Sequence, residues 1–92
     1  MEDLLKSLKL SLGDLGDSSE LDAYYLHKLM TARNEFLADD ISEDVINSDF
    51  GKNAVVYYAV LLTKDQDIAT NPTLTLLRNK LSAMTKGERF DD

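Results

Sequence analysis

Cysteine is absent from this 92-residue chain, so neither a disulfide framework nor a thiolate metal site can hold it together, and thiol chemistry is excluded. Histidine occurs once, at His27. A zinc site there would need carboxylates or water as its other ligands, and a general base would need an orienting carboxylate and a pocket that no local motif supplies. His27 therefore reads as an ordinary helix-surface or half-buried residue. No serine stands in a GxSxG setting and no glycine-rich phosphate loop is present, which leaves an enzyme without a motif and a cofactor without a cradle. Positive charge is also scarce. Ten Lys and Arg face seventeen Asp and Glu, a net charge of -7 that repels phosphate backbones and anionic lipid.

Long apolar runs are missing as well. The longest, Ala54 to Leu62, is about half of the ~20 residues needed to cross a bilayer, so burial within protein is expected. The opening stretch MEDLLKSLKL carries acidic residues where a secretory signal would carry basic ones, and cytoplasmic synthesis is expected.

What the chain does contain is helical periodicity, in an amount that suits one domain spanning residues 1–92. Leu4, Leu5, Leu8 and Leu12 predict a short first helix over residues 3–12. The turn-rich GDLGDSS follows, with Leu15 expected to tuck back onto the core. Ser18 or Ser19 caps a long second helix reaching about Ala38, with Leu21, Tyr25, Leu29, Ala32 and Phe36 along one face. Residues 39–50 read as a connection with one helical turn, capped by Ser42, with Val45 and Ile46 inward. Ser48 or Asp49 then caps a third helix, apolar nearly all round and therefore central. The only proline, Pro72, follows Asn71, a cap and first-turn pair that starts a fourth helix ending near Thr85. Gly87 is the expected stop, and residues 86–92 are expected to form a flexible C-terminal tail. The fold class is all-α, a small bundle of about four helices.

Two groups invite a chemical reading. Asp65, Asp67 and Asn71 match the first, third and seventh positions of a calcium loop, but Ala69, Thr70 and Leu76 occupy places that such a loop gives to a ligand, a glycine and a bidentate glutamate. A solvated turn is expected instead. Asp39, Asp40, Glu43 and Asp44 form an acidic cluster whose ordinary reading is a solvated loop. Among aromatics, Tyr24 and Tyr25 on the second helix and Tyr57 and Tyr58 on the third are adjacent pairs. Neighbours differ by about 100° around a helix, so one ring of each pair can enter the core while the other reaches outward as an interface anchor.

The order of these features resembles the small helical head-tail connectors, also called adaptors or head completion proteins, of long-tailed bacteriophages. The resemblance rests on the leading helix DLLKSLKL, the long helix LDAYYLHKLMTARNEFLADDI, the apolar KNAVVYYAVLLTKD, and PTLTLLRNKLSAM after a polar gap. It implies a virion protein at the head-tail interface that binds the portal after DNA packaging. It would assemble as a ring of about a dozen copies, extend the DNA channel and offer a docking surface to a tail-side head completion or tail terminator protein. DNA would pass without specific binding, its wall of subunits carrying the acidic candidates Glu20, Asp22, Asp39, Asp40, Glu43 and Asp44. Tyr24, Val56, Tyr57 and Val60 are the candidate subunit contacts, and Arg89 and Phe90 the candidate portal contacts. No membrane partner is implied. The alternative is a small acidic inhibitor or immunity-type protein that occupies a basic cleft of a host protein by charge mimicry, although its acids and bases are interspersed along every expected helix.

Overall fold

Among the described residues, four of the five helices begin on a short polar side chain that accepts a hydrogen bond from the backbone three residues on. The computed structural model describes residues 1–87 and contains α1 (Glu2–Leu12), α2 (Ser19–Ala38), α3 (Glu43–Ile46), α4 (Asp49–Thr63) and α5 (Pro72–Thr85). The N-caps of α2 to α5 are Ser18, Ser42, Ser48 and Asn71, accepting from the N–H groups of Leu21, Val45, Gly51 and Leu74. Each satisfies a donor that the helix itself cannot use. Pro72 occupies the first helical position of α5, where its missing N–H costs nothing.

Helix ends are equally defined. After α1, Gly13 takes a left-handed conformation and the amides of Gly13 and Asp14 return to Leu10 O and Lys9 O. After α2 the same pattern recurs, with Asp40 at φ 63° and the amides of Asp40 and Ile41 returning to Leu37 O and Phe36 O. After α4, Asp65 at φ 53° repeats it, with Gln66 N donating to Leu61 O. All three are Schellman closures. In the second, Ile41 and Phe36 are both buried, which supplies the apolar contact that accompanies the motif.

Helix α4 is central, packing against α1, α2, α3 and α5. Its buried side chains include Ala54, Val55, Val56, Tyr58, Ala59 and Leu61, facing Leu8 of α1, Leu29, Ala32 and Phe36 of α2, Ile46 of α3, and Leu74 and Leu81 of α5 across one core. Phe36 and Tyr58 meet edge to face with centroids 5.4 Å apart, the arrangement that ring quadrupoles favour. Helix α4 comes into close contact with the backbone of α3 at Gly51. A Cβ built there would fall within contact of Val45 O and 2.5 Å from Ile46 O, so only glycine fits.

The expected bundle is thus present, with its single helical turn at α3. One expectation is corrected: Leu15 does not tuck back but is 83% exposed. The Schellman closure of α1 directs the chain outward, and Asp14 rather than Leu15 ties the loop inward. Lys86 and Gly87 form the turn after α5; the rest of the expected tail lies outside the described residues.

Candidate functional site

The sequence candidates fall in three places. Glu20 and Asp22 lie in the first turn of α2, whereas Asp39 and Asp40 follow its last turn and Glu43 and Asp44 open α3. Seventeen residues of helix separate Asp22 from Asp39, about 26 Å at 1.5 Å per residue, so the acids form two groups rather than one surface. Several are also engaged. Asp22 Oδ1 is 2.8 Å from Lys9 Nζ, Asp39 Oδ2 is 3.6 Å from Arg78 Nη1, and Glu43 Oε1 is 3.9 Å from Arg33 Nη2. Among the described residues, Glu20, Asp40 and Asp44 have no ion pair. Asp39 and Asp40 sit at the negative end of the α2 dipole, where carboxylates are disfavoured, and Glu43 and Asp44 at the favourable end of α3.

Each tyrosine pair divides as expected, with Tyr25 and Tyr58 buried and Tyr24 exposed. Tyr57 is half-buried, its hydroxyl 3.4 Å from Asn71 Oδ1. Of the four candidate subunit contacts, Tyr24 is thus open to solvent, Tyr57 and Val60 are half-buried, and Val56 is covered by its own chain at 8% exposure. Arg89 and Phe90 lie outside the described residues. His27 is an exposed residue of α2. Asp67, one of the calcium-loop matches, instead fastens its own turn by accepting from the amide of Ala69 and from Thr70. The Thr70 hydroxyl and amide hold the Asp67 carboxyl below its ordinary range.

Sequence reasoning missed two polar networks. Lys9 binds both Asp22 and Gly16 O, the latter at 2.8 Å, while Asp14 accepts from Gly16 N and from the Tyr25 hydroxyl at 2.7 Å. These contacts pin α1 and its loop to α2. The Gly16 amide and the Tyr25 hydroxyl hold the Asp14 carboxyl below its usual value, and that same hydrogen bond pushes the Tyr25 phenol up. The hydrogen bond to Asp22 raises the Lys9 ammonium. On the other side, Arg78 of α5 donates to the Tyr58 hydroxyl at 3.1 Å and lies over its ring. Burial pushes the Tyr58 phenol up. Neither network was foreseeable from spacing, since Lys9 with Asp22 and Tyr58 with Arg78 meet only through tertiary packing.

Apolar surface left uncovered is concentrated around the α1–α2 turn. Of seven exposed large apolar side chains among the described residues, Leu10 and Leu15 flank the turn and Leu21 and Tyr24 lie in the first two turns of α2. Leu10 and Leu15, with Leu5 and the stems of Lys6 and Lys9, line an open groove of about 390 Å³. Single exposed leucines are ordinary on a protein surface; here two of them share one groove. Leu10 itself was the available signal, because it falls off the inward face that Leu4, Leu5, Leu8 and Leu12 define. No helix among the described residues is long and apolar enough to cross a membrane.

Against this geometry, no protein-family model, no curated protein and no solved structure matches the chain.

Proposed function

We propose that this chain is a head-tail connector of a long-tailed bacteriophage, an assembly protein rather than an enzyme. It binds the portal after packaging, closes into a ring that lengthens the DNA channel, and presents its far side to the tail. The observation that carries the proposal is the exposed apolar groove of Leu10 and Leu15 on a bundle whose own core is otherwise closed. Such a surface on a small domain favours contact with protein, and the net charge of -7 favours passage of DNA over adhesion to it. A ring gives each copy two different neighbour-facing patches, closed by rotation. The Leu10–Leu15 groove is one such patch and the exposed ring of Tyr24 on α2 a second candidate contact. Unpaired Glu20, Asp40 and Asp44 are the acids best able to face a lumen, since Asp22, Asp39 and Glu43 have cationic partners in the chain.

Those same internal pairs weaken the alternative of a charge-mimicking inhibitor, which would present its carboxylates together on one side. The connector proposal is tested by mixing the purified protein with its portal and measuring assembly by sedimentation. A Leu10→Glu, Leu15→Glu double variant should remain folded and lose ring formation. Wild-type protein that stays monomeric with portal present, or a double variant that assembles as well as wild type, would oppose the proposal.

A further inference from the structure

The acids of this chain are unevenly distributed. None lies between Asp67 and Glu88, the longest acid-free segment in the sequence, which carries Arg78, Lys80 and Lys86 and includes all of α5. In a protein of net charge -7, α5 is therefore a cationic element. Arg78 is engaged within the chain, donating to the Tyr58 hydroxyl and standing 3.6 Å from Asp39. Lys80 and Lys86 have no ion pair among the described residues, and the Lys80 ammonium lies 6.0 Å from the centre of the Phe50 ring. At 100° per residue, Lys80 stands about 40° and Lys86 about 80° from Leu76 around the helix. Leu76 is itself 54% exposed, so an uncovered leucine shares its side of α5 with two unpaired lysines.

The Leu10–Leu15 groove has the opposite charge. Glu2, Asp14 and Asp17 line it against Lys6 and Lys9, and Lys9 is already answered by Asp22 at 2.8 Å. Glu2 and Asp17 have no ion pair among the described residues, which leaves the rim acidic.

We propose that the exposed side of α5 docks into the Leu10–Leu15 groove of a second copy of this chain, with Leu76 between the two leucines and Lys80 and Lys86 against Glu2 and Asp17. Charge complementarity selects this occupant. Groove on groove would set two acidic rims together, and α5 on α5 would set lysine against lysine, whereas α5 on groove pairs opposite signs around an apolar centre. The contact must be made between copies. Every residue lining the groove belongs to α1 or the loop after it, while α5 of the same chain packs on α3 and α4. Each copy thus offers two different patches, which makes the contact heterologous. Its place in a closed ring rests on the connector reading, for which it supplies the surface that meets the groove.

The chain has no cysteine, so full-length Lys6→Cys, at the groove, and Asn79→Cys, one turn beyond Leu76, each carry a single thiol at an exposed site. The two variants, one of them bearing a size tag, are mixed in equal amounts and treated with a flexible bismaleimide. The mixed product should exceed either homodimer by about tenfold, where random collision gives about twofold. Adding Lys80→Glu and Lys86→Glu to the Asn79→Cys partner should lower the mixed product by about tenfold, and adding Glu2→Lys and Asp17→Lys to the Lys6→Cys partner should restore it. Circular dichroism confirms that each variant is folded. Raising the salt concentration should also lower the mixed product, because the charged contacts lie at the rim. A mixed product at the random ratio, or one indifferent to the charge reversals, would overturn the proposal. The effect of losing the protein on virions is a separate readout: tailless heads with a random cross-linking ratio would remove this contact and leave the connector reading. Normal virions with the tenfold excess would do the reverse.

Discussion

Replacing Gly51 with alanine introduces one methyl group at the point where α3 crosses α4. In an exposed stretch of helix this change is favourable, since glycine costs about 1 kcal/mol relative to alanine. At Gly51 the new carbon would lie 2.5 Å from Ile46 O and 2.7 Å from Ile46 C, about 1 Å inside ordinary contact. Both are main-chain atoms, so no rotamer change relieves the overlap. The methyl must push α3 away, and Ile46, only 2% exposed, would move with it out of the core. Overpacking of this kind costs about 1–3 kcal/mol and sometimes more; at the upper end, less the helix gain, the net loss is about 2 kcal/mol. For a domain of this size that corresponds to a fall in Tm of about 8–16 °C, a substantial part of a total stability of roughly 5–14 kcal/mol. Urea and thermal unfolding followed by circular dichroism measure it, with Asn53→Ala, two residues on and exposed on the opposite face of α4, as the control that should gain a few tenths of a kcal/mol. A Gly51→Ala protein as stable as wild type would refute the close approach and with it the seating of α3 against α4.

Tyr58→Phe removes the acceptor of Arg78 at a site 4% exposed and should lower stability by about 1 kcal/mol; a double-mutant cycle with Arg78→Met should return most of that as coupling. Asp65→Gly relieves a left-handed conformation that aspartate adopts at some cost and should raise stability by about 0.5–1 kcal/mol in the same assay. The Asp14 carboxyl is held below its ordinary value, so its contribution is present above the unfolded value near 4 and is lost as pH falls through the folded one. The Tm gap between wild type and Asp14→Asn should accordingly be full at neutral pH and close in acid; a gap that persists at low pH would separate the effect from the charge. Tyr25, with its phenol pushed up, contributes below its unfolded value near 10 and loses that contribution as pH rises through the folded value, which Tyr25→Phe should show as a gap that narrows in alkali.

The helix starts were legible because Ser18, Ser42, Ser48 and Asn71 each precede an apolar periodic stretch and carry a short acceptor that reaches the third amide onward. The centrality of α4 was legible too, since residues apolar all round must be covered all round. What covers them was not. Val56 could have faced a neighbouring copy, yet α1, folding back along α4, lies beside it. Periodicity gives the direction of a side chain about its own helix and nothing about the helix opposite. Leu15 is the same failure in reverse, a leucine in a loop with no wall to meet. Gly51 carried no signal, because a glycine inside a helix looks like a weak helix former until the neighbouring backbone is in place. The Lys9–Asp22 and Arg78–Tyr58 contacts depend on how four helices, α1 with α2 and α4 with α5, settle together, and no local spacing encodes them.

The most direct test of the connector proposal is a stop codon placed early in this gene in the genome that carries it, with the lysate imaged by electron microscopy. The proposal predicts heads without tails, leaking or empty of DNA, beside separately completed tails. Normal virions in normal number would contradict it.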